Sequence, residues 1–372
     1  MKQARLRFGI IGCGVMGARH AEILARHPRA RLVACCNRSR PAAESLARRF
    51  ACETTGDADA LLARPDIDAI VIATRHDSHA PLAMAAAAAG KHALIEKPLA
   101  LRVEDCRKIA EAFHAARRHA GVVLNWRFSP LVREARRRLP RPTVLIGVMM
   151  DDRWPDEHWA QRPHVGGGNL RSQGCHMADL LRYLAGAEPV EISATAASAT
   201  HTPDDEPDQF AATIRFASGV IASWTQGDAG CPARGSKFQI SLFGAGSDAI
   251  EIHDRCQSAT ARFGRRIEEW RRESEEGLAL RVASFVDDVL ADRAPECGAW
   301  DGLIATQMVE AALQSARARR TVTIRWRDGR PQFDAPDRPR PSAPSPHGHA
   351  SLTAAPAPAA EASEREPLEA LS

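Results

Sequence analysis

Short apolar runs alternate with amphipathic stretches through the first third of the chain. Residues 7–12 (RFGIIG), 31–36 (RLVACC), 68–73 (DAIVIA), 92–95 (HALI) and 121–124 (GVVL) have the length and apolar character of buried strands. Between them, residues 16–27, 41–50, 81–89 and 104–119 read as helices, and Gly90 stops the alanine-rich third of these. Strand and helix alternating at this spacing predict an α/β domain, a doubly wound parallel sheet with helices on both faces.

The pattern changes after residue 123. Residues 143–150 form a strand pattern, and the run Gly166-Gly167-Gly168 opens a helix predicted to reach about Leu184. Period-2 alternation then takes over. Phe210, Ala212, Ile214 and Phe216 fall on one face of a strand over 209–216, and Phe238, Ile240 and Leu242 on one face of a strand over 236–243. Residues 190–200 and 219–225 read as strands with less regular alternation. Such strands suit an antiparallel sheet with one covered face. Helices over 278–291 and 299–319 and a short strand over 321–326 complete an α+β second domain. From 329 onward proline, alanine, serine and charge dominate, a composition too poor in apolar area to offset its ordering entropy, so a disordered tail is expected. The expected division is a first domain over 1–123, a second over 124–328 and the tail over 329–372.

Composition removes several classes. Apolar residues make up 44% and charged residues 26%, ordinary for a folded globular chain. The formal charge of +4 comes from scattered arginines, which argues against a nucleic-acid or membrane partner. Nine cysteines form no CxxC pair and fit no zinc spacing, so reduced thiols, no metal and a cytoplasmic location are expected; the adjacent Cys35 and Cys36 read as small core residues. No secretory leader is visible at the N-terminus, and no apolar run approaches the ~20 residues of a membrane helix.

Candidate chemistry begins at Gly12-Cys13-Gly14-Val15-Met16-Gly17, a G-x-G-x-x-G that follows an apolar strand and opens a helix. That context matches a Rossmann dinucleotide fingerprint. The first glycine makes the turn, the second lets the pyrophosphate approach, and the third lets helix pack on strand. About 20 residues further on, where an acid would read the adenosine ribose, stands Asn37, followed by Arg38, Ser39 and Arg40. Asparagine does not repel a 2′-phosphate and the arginines attract one, so NADP is favoured over NAD.

Three further segments carry a resemblance. They are Thr74-Arg75-His76-Asp77-Ser78-His79 after the third strand pattern, Glu96-Lys97-Pro98 after the fourth, and the run from Gly166 through Ser172 to His176, with Asp179. Over residues 5 to 325 the chain resembles the Gfo/Idh/MocA family of glucose–fructose oxidoreductase, inositol dehydrogenase and relatives. The resemblance implies a Rossmann domain followed by a domain with an open, mostly antiparallel sheet that often serves as an oligomer interface. It implies a nicotinamide-dependent dehydrogenase of a sugar, cyclitol or related polyol, assembled as a homo-oligomer (dimer or tetramer) through that sheet. It assigns Lys97 and His176 as catalytic residues, with Ser172 counted beside them to donate or accept at the substrate oxygen. Thr74, Arg75, His79 and Glu96 join the fingerprint at the cofactor. Ser172, where many members have aspartate, would share a helix face with His176, four positions on.

Asn125, Trp126 and Arg127, after the last Rossmann strand pattern, are candidate substrate contacts, as is the 154–164 loop with Asp156, His158, Trp159 and His164. Arg75 stands where the family has proline, near the nicotinamide side, and could meet an acidic group. Two other functions are open to such a chain: redox-assisted elimination of a glycosidic bond with a retained dinucleotide, and a non-catalytic dinucleotide sensor.

Overall fold

The fold is taken from a computed structural model, which describes residues 4–198, 207–230, 237–272, 277–327 and 330–332. The tail expected from 329 lies, apart from 330–332, outside the described residues. The chain opens as β1 (Leu6–Ile11), α1 (Val15–Arg26), β2 (Ala30–Cys36), α2 (Arg40–Phe50), β3 (Glu53–Thr54), α3 (Ala58–Leu62) and β4 (Ala69–Ile72). It continues through α4 (His79–Ala88), β5 (His92–Ile95), α5 (Val103–Ala115) and β6 (Ala120–Val122). The six strands form one parallel sheet in the order β3-β2-β1-β4-β5-β6, with the strand order reversing between β1 and β4. That reversal opens a crevice at the C-terminal strand ends, the place where open α/β sheets bind ligands. All four residues of β4 are buried, because helices cover both faces of the sheet.

The second half runs α6 (Pro130–Arg138), β7 (Val144–Met150), α7 (Gly168–Ser172), α8 (Gly174–Ala185), β8 (Pro189–Ala197), β9 (Gln209–Phe216) and β10 (Ile221–Gly227). Then come β11 (Gln239–Phe243), β12 (Ala249–His253), β13 (Ser258–Phe263), β14 (Arg266–Arg271), α9 (Gly277–Leu290), α10 (Ala299–Ala318) and β15 (Val322–Thr323). Nine strands make a mixed sheet in the order β14-β13-β12-β11-β7-β10-β9-β8-β15, antiparallel except for the β7–β10 pair. Phe210, Ala212, Ile214 and Phe216 are buried while Ala211, Thr213 and Arg215 between them are exposed, as the alternation predicts. The covered face lies under α8 and α10. The opposite face is open and leaves Ile146 38% and Ile221 51% exposed.

Two departures from the sequence reading bear on the site. The helix expected to run from the triple glycine to Leu184 is two helices, α7 and α8, broken at Gln173. And α9 returns to the first sheet: Val282, Phe285 and Val286 complete the cluster around Leu6, Phe8 and Leu24. The following helix, α10, packs on α5 and β6 as well as on α8 and β8. Strands β3, β12, β13 and β14 and helices α3 and α6 were not read from the sequence.

Candidate active site

The fingerprint glycines build a cradle at the end of β1. Gly12 has φ +101°, and a Cβ there would sit 2.3 Å from the Ala73 carbonyl oxygen. A Cβ on Gly17 would strike the Gly12 carbonyl oxygen at 1.9 Å, so α1 can start only against a bare α-carbon. A Cβ on Gly14 would meet nothing within 4 Å: the space above it is open. Val15 and Met16 begin α1, which has no side-chain cap and no acid in its first turn. Its free N–H groups therefore point into open space with partial positive charge, a fitting seat for a pyrophosphate.

At the end of β2, Asn37 closes the loop onto itself. Its Oδ1 accepts from the Cys13 N–H at 3.1 Å, and its Nδ2 donates to the Ser39 carbonyl at 3.1 Å. Arg38 and Ser39 are exposed beside it, and Arg40 pairs with Glu44. No carboxylate stands at the position that reads the ribose.

The segment after β5 carries Glu96, Lys97 and Pro98. Glu96 is buried and its carboxylate is used internally, 2.7 Å from His20 Nε2 on α1 and 3.2 Å from the Lys97 N–H. It therefore helps fix the Lys97 backbone. Lys97 follows with a cis bond to Pro98, and its Nζ donates to the main-chain oxygen of Ser172 at 3.3 Å. The contribution of Ser172 to Lys97 is thus its carbonyl, and the break at Gln173 removes the shared helix face expected for Ser172 and His176.

His176 sits in α8, buried, with its ring edge-on to Trp126 (6.3 Å between centroids) and to Phe238 (5.9 Å). Burial, then the positive charges of Lys97 and Lys237, hold its pKa well below the ordinary value. The imidazole is neutral at neutral pH. Its Nδ1 is buried with no hydrogen-bond partner among the described residues.

The loop after β4 closes the other side. Thr74 Oγ1 accepts from the Ser78 hydroxyl, and His76 Nδ1 lies 2.7 Å from the Gly166 carbonyl. The Asp77 N–H donates to Val165, so the 154–167 loop docks here. Trp159 packs edge-on to His76 (4.8 Å), and the exposed Arg75 guanidinium lies 5.9 Å from the Trp159 ring. His79 is wholly buried, its ring nitrogens 2.8 and 3.2 Å from the Pro98 and Thr74 carbonyls. This corrects its expected cofactor contact: His79 ties two loops together from beneath. His158 caps a short turn and His164 is exposed.

Asn125 and Trp126 are half-buried, Trp126 beside His176, but Arg127 turns inward. Its Nε donates to Asp179 at 2.8 Å, its Nη2 bonds the same carboxylate, and Asp301 lies 3.3 Å away. Its expected place among the substrate contacts is therefore corrected: Arg127 and Asp179 form a buried pair that joins the exit of β6 to α8 and α10. Two site residues escaped the sequence reading. Lys237, just before β11, and Asp151, just after β7, form an ion pair at 2.8 Å.

A dinucleotide fingerprint at the end of β1, with Lys97 at the end of β5 and a neutral His176 under its charge, is an arrangement that suits an oxidoreductase. The comparisons agree. Residues 6–124 match the family described as oxidoreductase family, NAD-binding Rossmann fold, and residues 138–244 match the Gfo/Idh/MocA C-terminal domain. The chain is 30% identical over 339 residues to the inositol 2-dehydrogenase of Rhizobium meliloti, covering 86% of this chain and 99% of that one. It is 30% identical over 259 residues to the levoglucosan dehydrogenase of Pseudarthrobacter phenanthrenivorans, covering 59% and 66%. Among solved structures, GenD2 from gentamicin A biosynthesis in complex with NAD superposes with a TM-score of 0.76 at 26% identity, covering 88% of this chain and 98% of that one. The chain belongs to the Gfo/Idh/MocA oxidoreductase family.

Proposed function

We propose that this chain is a nicotinamide-dependent dehydrogenase or reductase acting on a hydroxyl or carbonyl group of a sugar, cyclitol or sugar derivative. The observation that carries the reading is the reach of Lys97, from the end of the dinucleotide sheet, to the α7–α8 segment: its Nζ donates to the Ser172 carbonyl and its charge is felt by His176. A nicotinamide held there by Gly12, Gly14, Gly17, the start of α1 and Thr74 would supply the hydride acceptor. The chain's own residues handle the proton. Lys97 Nζ has donors left after its bond to Ser172 and can hold the reacting oxygen. Neutral His176 can take the hydroxyl proton as the carbonyl forms, and return it in reduction. Relatives named for inositol and levoglucosan support the polyol class.

Arg38, exposed and without a bonded partner among the described residues, favours NADP, and so does the lack of an acid at Asn37. The solved neighbour with NAD keeps NAD as the second candidate. The open sheet face with Ile146 and Ile221 suits a homo-oligomer, a dimer or tetramer, and the free thiols suit the cytoplasm.

The test is absorbance of the reduced nicotinamide with NAD and with NADP against neutral sugars, inositols and sugar acids, with Lys97→Ala alongside. Turnover that falls 10²-fold or more in the variant, with dinucleotide binding retained, is the expected result. Equal turnover in both proteins would overturn the assignment.

A further inference from the structure

We propose that Lys237 contacts the substrate and that the substrate it selects carries a carboxylate, an acidic sugar rather than a neutral one. The proposal rests on the dehydrogenase reading above and narrows its substrate class.

The first observation is an unfilled donor. Lys237 Nζ lies 2.8 and 2.9 Å from the two oxygens of Asp151. An ammonium has three N–H donors, and Asp151 takes two. Asp151 itself is not open to a ligand: it is buried, and its Oδ1 also accepts from the Asp152 N–H at 3.0 Å. The carboxylate is a fixed mount, and among the described residues the third N–H of Lys237 has no partner and is left for a ligand. The side chain is 15% exposed, enough to reach one.

The second observation is strain. Phe238, the next residue, has φ +59°, a left-handed conformation that a bulky side chain holds only where its surroundings enforce it. Its ring is clamped 3.9 Å from that of Trp126 and 5.9 Å from that of His176. The strained residue thus anchors Lys237 beside the catalytic pair. The electrostatics agree: His176 feels the charge of both Lys97 and Lys237.

The third observation is the charge of the surroundings. Glu96 is held by His20, Asp179 by Arg127 and Asp151 by Lys237; Asp228 is buried and accepts from Gln161 at 3.5 Å. Ser172 brings no charge. Lys97 keeps free donors, and Arg75 is exposed on the cofactor side. A substrate carboxylate would take charge-assisted bonds that a neutral hydroxyl makes only weakly.

The experiment uses the full chain and four probes: D-glucuronate and D-gluconate against D-glucose and myo-inositol. The expected result is a kcat/KM at least tenfold higher for an acid than for the neutral compounds. Lys237→Met combined with Asp151→Asn removes the pair together, so no buried charge is left alone, and should cut the acid-to-neutral ratio tenfold or more, mainly through KM. Lys237→Arg should keep the preference. Neutral compounds favoured by the wild type, or acids and neutrals falling alike in the double variant, would overturn the proposal. Calorimetry with D-glucuronate on the dinucleotide-loaded protein separates this idea from the reading beneath it. Binding that weakens tenfold in the double variant, with no turnover by the wild type, would sustain the anion site and overturn the dehydrogenase. Absence of binding and of turnover would overturn both.

Discussion

Lys97 reaches across from the dinucleotide sheet and donates to the carbonyl of Ser172, 3.3 Å away, the last residue of α7. One hydrogen bond thereby fixes the Lys97 side chain at the end of one sheet against a helix end from the other half of the molecule. The main-chain acceptor makes the contact indifferent to the side chain at 172. Ser172→Ala should therefore leave kcat within about threefold of wild type, measured in the same nicotinamide assay. A fall comparable to that of Lys97→Ala would show that the hydroxyl itself takes part.

The fingerprint glycines should part company on substitution. Gly12→Ala forces a Cβ onto the Ala73 carbonyl at positive φ, so it should destabilise the fold by about 1–3 kcal/mol as well as abolish dinucleotide binding. Gly14→Ala places its methyl in open space. It should unfold at the wild-type denaturant midpoint yet bind dinucleotide tenfold or more weakly. Equal affinity would mean that the pyrophosphate does not pass over Gly14.

Arg38→Asp should lower the kcat/KM ratio of NADP to NAD by about tenfold or more, since the change replaces an attraction for a 2′-phosphate with a repulsion. An unchanged ratio would return Arg38 to the role of a solvated surface charge.

The buried Arg127–Asp179 pair should behave as structure. Asp179→Ala leaves a buried guanidinium with Asp301 as its one nearby carboxylate among the described residues and should lower stability by about 3–5 kcal/mol in equilibrium unfolding. Surviving protein should keep its KM. A raised KM at normal stability would place Arg127 at the substrate after all.

Acid should weaken the fold through its histidines. Burial lowers the pKa of His76, His79 and His176 in the folded state. Below the unfolded value of about 6.5, the unfolded chain binds more protons than the folded one, so stability falls as pH drops toward the lowered folded values. Each histidine contributes a slope of about 1.4 kcal/mol per pH unit in that window. Unfolding midpoints between pH 7.5 and 5 check this, and His76→Gln should flatten the decline.

Much of this architecture is legible in the residues. The parallel strands are buried on both faces, so β4 reads as an unbroken apolar run, and the fingerprint glycines and Lys97 lie at strand ends where local spacing marks them. The same reading fails where burial does not show in hydropathy. In β13 the buried positions are Ala259 and Ala261, and β14 carries mostly exposed charged residues, so neither strand gives a strong alternation. Lys237 and Asp151 stand 86 positions apart and meet only because β11 pairs antiparallel with β7, with Gln239 opposite Val148. The inward turn of Arg127 has no local signal either; its partner, Asp179, lies 52 positions further on.

The return of α9 to the first sheet sets an order of assembly. While the chain emerges from a ribosome, Leu6, Phe8 and Leu24 lack the cover that Val282, Phe285 and Val286 supply until nearly 290 residues have been made. A fragment ending at residue 124 would carry every glycine of the nucleotide cradle and still present a bare oily flank. Isolated, it should aggregate, and supplying residues 277–290 as a separate peptide should restore its solubility.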